Sequence, residues 1–390
     1  MNLEMTPERA QIQAAIQTLC DEFDDDYWRR KDEAHSFPVE FQAAVAKAGW
    51  LGIMMPEEFG GSALGITEAA LMMQTVGASA GVLAACSTIH INIFAPHAIV
   101  VHGDAQQKSS ILPPLVRGED MACFAVTEPD AGLDTTHITT RARRNSEGNG
   151  YVIDGRKMWI STAQRANKMM ILTRTTPIEE CVRPTDGMTL FYTDLDHRYV
   201  EVREIRKLGR GAVDSNALFI DGLPVPDSHR IGAEGKGFHI LLDAINPERI
   251  LVAAEAVGIG QRALAKAAAY AKERVVFGRP IGKNQGIAHP LAESWMQLEA
   301  ANLMVWHAAA LYDSGKPCGA EANAAKFLAA DAAFLACDRA VRTLGGMGYA
   351  AEYDVERYLR EVMVPRIAPV SREMILNYVS ERVLGLPRSY

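Results

Sequence analysis

One carboxyl group stands out at the start of an apolar segment. In DAINPERILVAAEAVGIG (243–260), Glu248 follows Pro247 and precedes Arg249, and most residues after it are apolar. Asn246 suits a helix N-cap and Pro247 the first helical position, where an acid complements the helix dipole by about 0.3–1 kcal/mol. An acid buried among apolar groups also gains the basicity that a general base needs. The segment alone leaves both interpretations open, a helix-start residue or a catalytic base.

Two further stretches join groups that could do chemistry. AVTEPDAGLD (125–134) combines a hydroxyl, acids and a glycine turn, and KMWIST (157–162) follows after a short interval. On a β-strand, Trp159 and Ser161 lie on one face because they are two residues apart. Taken separately, such residues are typical of core packing and turns, so the elements that position them matter.

The pattern of apolar residues predicts three regions. Residues 1–118 have helical periodicity, and 119–230 consist of short β-rich runs separated by turn residues. From 231 to 390 long Ala-rich segments return at 248–276, 285–313 and 319–344. The sequence therefore predicts an α+β chain, with an all-α N-terminal domain, a central antiparallel sheet domain and a C-terminal helical bundle.

The composition excludes several classes of protein. The 390 residues are 48% hydrophobic and 23% charged, and the net charge of −8 argues against a nucleic-acid or anionic-membrane surface. The six cysteines form no CxxC pair, so we expect neither a metal site nor a disulfide framework. The start, MNLEMTPERA, lacks the features of a secretory signal, and no stretch reads as a membrane span. A cytoplasmic protein without a membrane segment is expected.

Further motifs occur in a fixed order along the chain. They are PEEFGG (56–61), KLGRGAVDSNALFIDGLPVP (207–226), GKGF (235–238), RVVFGRPIGKNQ (274–285) and GGMGYAAEYDVERYLRE (345–361). With AVTEPDAGLD and KMWIST, they make the sequence resemble the flavin-dependent acyl-CoA dehydrogenase family over essentially its whole length. The resemblance implies an acyl-CoA dehydrogenase-like fold, with a central β-barrel or sandwich and a C-terminal four-helix bundle, and FAD as the cofactor.

The resemblance assigns residues to the flavin ring. Phe124, Val126 and Thr127 match positions along the isoalloxazine edge, and Trp159 matches a position that packs near the ring. Ser161 stands where the family usually has Thr, and either hydroxyl can hydrogen-bond flavin N5. We therefore expect this contact to be retained.

Another set of positions matches the pyrophosphate and adenosine end of FAD, which in the family is bound by a neighbouring subunit. These positions hold Arg274, Phe277, Gln285, Arg342, Gly345, Gly346, Ser371 and Glu373. Glycine lets the backbone approach the dinucleotide, whereas Arg342 departs from the family pattern. The resemblance implies that FAD binding requires at least a homodimer, and that the chain forms a homotetramer.

The usual catalytic acid of the family is absent. Many members carry it in a Glu-Gly-Thr triplet, where this chain has Pro369-Val370-Ser371. Members resembling isovaleryl-CoA and long-chain acyl-CoA dehydrogenases place the acid at the position of Glu248 instead, which favours Glu248 as the base. Arg249, beside it, is expected to serve CoA binding or helix packing.

Substrate contacts also depart from the family pattern. Pro369 has no N–H to donate to the thioester carbonyl, so either a neighbouring N–H or the flavin ribityl hydroxyl must donate. Leu133 replaces the usual hydroxyl residue at the pantetheine arm, and His90 and Asn92 are candidates for the wall of the acyl-tail pocket. Acyl length, branching and ring content are not indicated.

The function implied by the resemblance is oxidation of an acyl-CoA to its trans-2-enoyl-CoA, with electrons passed to an electron-transferring flavoprotein. One alternative keeps the fold and flavin: an acyl-CoA oxidase or a non-oxidative relative such as a desulfinase or isomerase. Another is a catalytically silent helical protein that binds CoA esters or partners.

Overall fold

The N-terminal part of the chain is helical. The computed structural model describes residues 5–388; residues 1–4, on which the expected lack of a leader partly rests, and 389–390, the end of the third predicted domain, lie outside the described residues. Thr6 caps the first helix by accepting a hydrogen bond from the Arg9 N–H, and Asp104 caps the last by accepting one from the Gln107 N–H. The helices are α1 (Pro7–Asp21), α2 (Asp25–Glu33), α3 (Val39–Lys47), α4 (Ile66–Gly77), α5 (Val82–Phe94), α6 (His97–His102) and α7 (Ala105–Val116).

A sheet follows, as predicted. Its strands are β1 (Ala122–Ala125), β2 (Arg141–Arg144), β3 (Gly150–Ser161), β4 (Lys168–Arg174), β5 (Met188–Asp194), β6 (Val200–Glu204), β7 (Ser215–Pro226) and β8 (Arg230–Ile231). The order is β6-β7-β3-β2-β4-β5-β8, with β1 beside β4. All pairs are antiparallel except β1 with β4 and one residue pair between β2 and β4. The runs YVIDG and KMWIST, which the sequence analysis separates, form the single strand β3.

Long helices build the C-terminal part. They are α8 (Gly237–Glu273), α9 (Gln285–Asp313) and α10 (Gly319–Leu344), followed by α11 (Gly346–Tyr349), α12 (Val355–Glu361), α13 (Val364–Ile367) and α14 (Arg372–Tyr378); a hairpin of β9 (Val275–Val276) and β10 (Arg279–Pro280) links α8 to α9. The shorter helices pack against α10. This order of helical, sheet and helical parts is the predicted fold class.

The predicted start of α8 is wrong. Asn246 is not an N-cap and Pro247 is not the first helical residue, because α8 begins at Gly237 and Pro247 lies inside it. The residues from 237 to 246 are helical, and the helix continues through the buried Pro247, which donates no backbone hydrogen bond. Glu248 therefore lies within a continuous helix, and the helix-start interpretation loses its structural basis.

Two hydrophobic cores hold the molecule together. One runs through both helical parts and continues onto one face of the sheet, while a smaller core lies within the sheet. Helix α8 is central because it packs against α4 and α5 as well as α9 and α10. We propose domain borders at 118/119, in the connection before β1, and at 230/231, within the two-residue strand β8.

The expectation that no stretch of the chain could span a membrane is wrong for one segment. Val82–His102 is long and apolar enough to cross a membrane by length and composition alone, contrary to the expectation that no stretch would be. Its apolar window is 72% buried inside the protein, and buried core helices pass the same test. Most of the apolar residues of this segment are part of the larger core.

Candidate active site

A cavity of about 420 Å³ lies where the sheet meets α5, α8 and the segment after α13. It is built from the ends of β1 and β3 on one side and from helices on the other. Of the residues predicted from the sequence, the structure brings these to its wall: His90, Phe124, Val126, Thr127, Leu133, Trp159, Ser161, Glu248, Arg249 and Pro369. Ten positions from separate parts of the sequence thus line one cavity.

Glu248 projects from the first third of α8 and is 9% exposed. Desolvation by burial raises the pKa of its carboxyl to about 7, although the charges of His90 and Arg249 lower it in part. A carboxyl with this pKa is ionised to a substantial extent at neutral pH and is more basic than an exposed glutamate. It has the properties that a general base requires.

His90, on α5, faces Glu248 across the cavity wall. Its Nδ1 lies 2.6 Å from Oε1 of Glu255, and its Nε2 lies 4.0 Å from Oε1 of Glu248. Burial lowers the pKa of His90, but the two carboxylates outweigh burial, so the net shift is upward. From the sequence, His90 is expected only at the wall of the tail pocket and Glu255 is not expected at all, since nothing local links residues that are so far apart in sequence.

Arg210 is a second cation that the sequence analysis misses, although it lies in the quoted motif KLGRG. Its guanidinium donates to the hydroxyls of Ser87 (3.1 Å), Ser161 (3.1 Å) and Ser215 (2.8 Å). Burial lowers its pKa. Because Ser161 accepts from Arg210, a positive charge stands directly behind the hydroxyl that the resemblance assigns to flavin N5.

The backbone of 369–370 is anchored by Lys326 of α10. The Lys326 ammonium donates to the carbonyl of Val370 at 2.6 Å, and burial lowers its pKa to about 8. Pro369 and Val370 both line the cavity. Arg249, in turn, donates from Nη1 to Oδ1 of Asn246 at 3.0 Å, one turn away on α8. These contacts fix the cavity wall that faces Glu248.

The opposite wall is fixed by a buried ion pair. Lys157 of β3 donates to the carbonyl of Val126 and to Oε1 of Glu128, each at 2.9 Å. The N–H of Met158 donates to the carbonyl of Thr127 at 2.9 Å. The two stretches that the sequence analysis quotes, 125–134 and 157–162, are therefore bonded directly to one another.

The wall of β3 departs from ideal strand geometry at Trp159. The pairing of β3 with β7 is irregular between Lys157 and Ile160, and Trp159 has a φ of 64°. Trp159 and Ser161 both line the cavity, as expected for residues of one face, while Trp159 remains 56% exposed. Its ring can therefore contact a group in the cavity and a molecule outside.

The residues assigned to the adenosine end lie elsewhere. Arg274, Phe277, Gln285, Arg342, Gly345, Gly346 and Glu373 are exposed and do not line the cavity. Phe277 is 100% exposed on the hairpin between α8 and α9, and Gly345 has a φ of 62° that favours glycine. Arg342 pairs with Asp338 at 3.3 Å.

Two other predicted residues have structural contacts. Ser371 is buried and caps α14 by accepting a hydrogen bond from the Met374 N–H at 3.3 Å. Asn92 accepts from the Ala122 N–H at 3.1 Å and is absent from the cavity wall, so its assignment to the tail pocket is wrong. Within residues 5–388, no group of three or more His, Cys, Asp or Glu side chains could hold a metal ion.

The cavity fits a planar, partly polar ring system such as that of a flavin. Phe124, Val126 and Trp159 offer apolar surface, while the hydroxyls of Thr127 and Ser161 offer hydrogen bonds along the same wall. Glu248 lines the cavity as well, so a substrate held between this wall and α8 would meet both the ring and the base.

Comparisons with known proteins agree with this arrangement. The chain matches the acyl-CoA dehydrogenase N-terminal domain over residues 6–119, the middle domain over 123–223 and the C-terminal domain over 235–384. It is 36% identical to acyl-CoA dehydrogenase FadE12 of Mycobacterium tuberculosis over 98% of this chain and 97% of that protein. Among solved structures, butyryl-CoA dehydrogenase from Megasphaera elsdenii has a TM-score of 0.91 at 28% identity, covering 98% of this chain and 100% of the other. An FAD complex of PigA has a TM-score of 0.92 at 25% identity, covering 99% and 100%.

The three domain matches span most of the chain in the order of the observed fold, and the cavity offers the surface that a flavin requires. The chain therefore belongs to the acyl-CoA dehydrogenase family and is an FAD-dependent oxidoreductase that acts on acyl-CoA.

Proposed function

We propose that the protein removes the α-proton and β-hydride of an acyl-CoA thioester to give the trans-2-enoyl-CoA, with Glu248 as the base. The observation that carries this proposal is the position of Glu248, a buried carboxyl with a pKa of about 7 on the wall of the flavin-sized cavity. The family's usual acid position holds Pro369, which cannot take a proton.

Several residues of the cavity have separate roles in this reaction. Glu248 takes the α-proton as the bond to Cα breaks. Bound FAD supplies the two-electron acceptor for the hydride that leaves Cβ. Arg210 holds Ser161 in place and contributes positive charge at the wall assigned to the flavin ring. Preorganised charge of this kind acts without the reorganisation that water would need.

The thioester carbonyl needs a hydrogen-bond donor other than residue 369. We propose the N–H of Val370, because Val370 is the next residue in the chain, lines the cavity and is held through its carbonyl by Lys326. Leu133, which is 56% exposed and also lines the cavity, offers the pantetheine arm an apolar contact in place of a hydroxyl. The half-buried position of Arg249 beside Glu248 favours a role in tuning that acid over a role in binding the CoA phosphates.

We also propose an electron acceptor, an oligomeric state and a cellular location. Trp159 is exposed and lines the cavity, which supports electron exit on this side to an electron-transferring flavoprotein. Exposure of Arg274, Phe277 and Gln285 far from the cavity supports binding of the FAD adenosine end by a second copy, in a homotetramer built from dimers. We place the protein in the cytoplasm, since its cysteines form no disulfide among the described residues.

A panel of CoA thioesters tests the proposal. The purified protein should be yellow with about one FAD per chain, and a suitable acyl-CoA should bleach the oxidised flavin band under anaerobic conditions. Products should carry a trans-2 double bond. A colourless monomer that FAD cannot reconstitute, or a flavoprotein that no thioester of varied length and branching reduces, would contradict the proposal. Fast reoxidation by dioxygen would indicate an oxidase instead.

A further inference from the structure

Two acids and one histidine form a row beside the cavity. Glu248 and Glu255 lie seven residues, or about two turns, apart on α8, so both face the same side of the helix. His90 of α5 lies against that side, 2.6 Å from Glu255 and 4.0 Å from Glu248. All three line the cavity. The proposed reaction uses only Glu248 and leaves the other two groups without a role.

We propose that His90 is a positioning residue that, held as an imidazolium by Glu255, keeps Glu248 a carboxylate near neutral pH. This inference rests on the proposed function of Glu248 as the base. A buried acid without a nearby cation would hold its proton and could not accept one from the substrate. The row therefore allows the strongly desolvated Glu248 to lose its proton near neutral pH and to act as a base.

The geometry separates the roles of the two ring nitrogens. The 2.6 Å contact makes Nδ1 a hydrogen-bond donor to Glu255, which fixes the ring and favours its charged form. Nε2 lies too far from Glu248 for a hydrogen bond, so His90 acts on Glu248 through its charge. The ring also packs on Phe94, with centroids 4.9 Å apart, which limits its movement.

Other charges around the row do not replace His90. Arg249 follows Glu248 on α8, Lys326 approaches from α10, and both lower the pKa of Glu248. Their effects on that pKa are smaller than that of His90, while Glu255 raises it. Arg210, from the loop before β7, opposes protonation of His90. His90 is therefore the neighbour whose loss should change the charge of Glu248 most.

Infrared titration of the FAD-loaded protein without substrate measures this effect directly. The protonated-carboxyl band of Glu248 is assigned as the band that Glu248→Gln removes. We expect His90→Gln to raise the pH of half-ionisation of that band by about 1 to 3 units, as for loss of a cation at this distance. Adding Glu255→Gln to His90→Gln should lower it again, because Glu255 repels the Glu248 charge.

A second variant keeps the test valid if His90→Gln does not fold. In Glu255→Gln, nuclear magnetic resonance of the His90 ring should show protonation at lower pH than in the wild type, and Glu255→Asp should restore much of the loss. His102→Gln is the matched control, because it removes a histidine that pairs with another acid of α8, Asp243, at 2.9 Å outside the cavity. It should leave the Glu248 band unchanged.

The result that overturns the inference is an unchanged Glu248 band in His90→Gln, or a His90 ring that titrates identically in Glu255→Gln and the wild type. Either would make the row a packing feature. Because both titrations need no turnover, they can succeed even if no acyl-CoA is oxidised. Failure of the proposed function would appear separately, as unaltered flavin reduction in Glu248→Gln.

Discussion

The cavity and the outer surface of the helical bundle are expected to bind different parts of the same cofactor. Within one chain, α5, α8 and the strand ends bring acids, cations and hydroxyls to a single buried site. The residues assigned to the adenosine end, among them Arg274, Phe277 and Gln285, instead lie exposed and apart from it. On the proposed function, proton chemistry is built within one chain, whereas retention of the whole cofactor is proposed to depend on a second chain.

Burial explains why the two regions should respond differently to mutation. In the cavity, low solvent exposure shifts the pKa of Glu248 and makes its neighbours' charges effective. At the surface, Arg274 is exposed to solvent, and in the proposed assembly its charge would pair with the FAD pyrophosphate of another subunit. Changes in the cavity should therefore alter rates and pH dependence, and changes at the surface should alter cofactor affinity.

The largest effect is expected for Glu248→Gln. Flavin reduction by substrate should slow by about 10²–10⁴-fold, the usual contribution of a positioned general base, while FAD content stays near that of the wild type. Anaerobic stopped-flow bleaching measures the rate. Asp243→Asn is the control, since Asp243 is an exposed acid of the same helix outside the cavity, and it should reduce its flavin normally.

The same variant should change how stability depends on pH. The pKa of Glu248 is raised from 4.5 to about 7 in the fold, so its stabilising effect is full below about pH 4.5 and is lost as pH rises through about 7. Glutamine does not titrate. The free energy of unfolding of Glu248→Gln relative to wild type should therefore rise between pH 5 and pH 8, by at most about 3 kcal/mol. A difference that stays constant with pH would mean that Glu248 is not desolvated.

A smaller effect is expected at the surface, for Arg274→Ala. Loss of a charged hydrogen bond to the FAD pyrophosphate should weaken FAD binding by about tenfold or more. The melting temperature should fall in proportion and recover only at high FAD concentration, since a ligand stabilises the fold that binds it. Arg203→Ala, which removes an exposed arginine of the sheet paired with Glu201, should do neither. Retention of flavin by Arg274→Ala through dialysis would place Arg274 outside the cofactor site.

The smallest effect is expected for Ser161→Ala. Removing one hydroxyl that accepts from Arg210 and faces the flavin position should slow flavin reduction by about fivefold, the equivalent of about 1 kcal/mol. Ser161→Thr keeps the hydroxyl and should behave like the wild type. Equal rates in all three proteins would show that Ser161 does not act on the flavin.

The sequence predicts the fold class because periodicity and turn residues are local signals. The run MTLFYTD coincides with β5, and the long segments at 285–313 and 319–344 coincide with α9 and α10. The predicted start of α8 is wrong because it relied on a local signal as well. Asn-Pro imitates a helix start, whereas α8 as a whole packs against α4, α5, α9 and α10, which no local pattern reports.

The residues of the site likewise fall into those that a local sequence pattern indicates and those that only the folded structure brings together. Residues inside quoted motifs, such as Thr127, Trp159 and Ser161, line the cavity, and their contacts with the flavin ring stay a prediction. His90 and Glu255 are 165 positions apart, and no pattern in the sequence pairs them. Arg210 stands in a motif, but its reach to Ser87 and Ser161 depends on a φ of 60° that a sequence does not reveal. Polar pairs between separate elements become visible only in the folded structure.

Exchange of the substrate α-proton tests the central claim most directly. The FAD-loaded enzyme is incubated with acyl-CoA in D2O without an electron acceptor, and deuterium at Cα of the recovered thioester is measured by mass spectrometry. The wild type should incorporate deuterium at Cα, and Glu248→Gln, with equal FAD content, should do so at least about 100-fold more slowly. Exchange at the wild-type rate in Glu248→Gln would show that another group takes the proton.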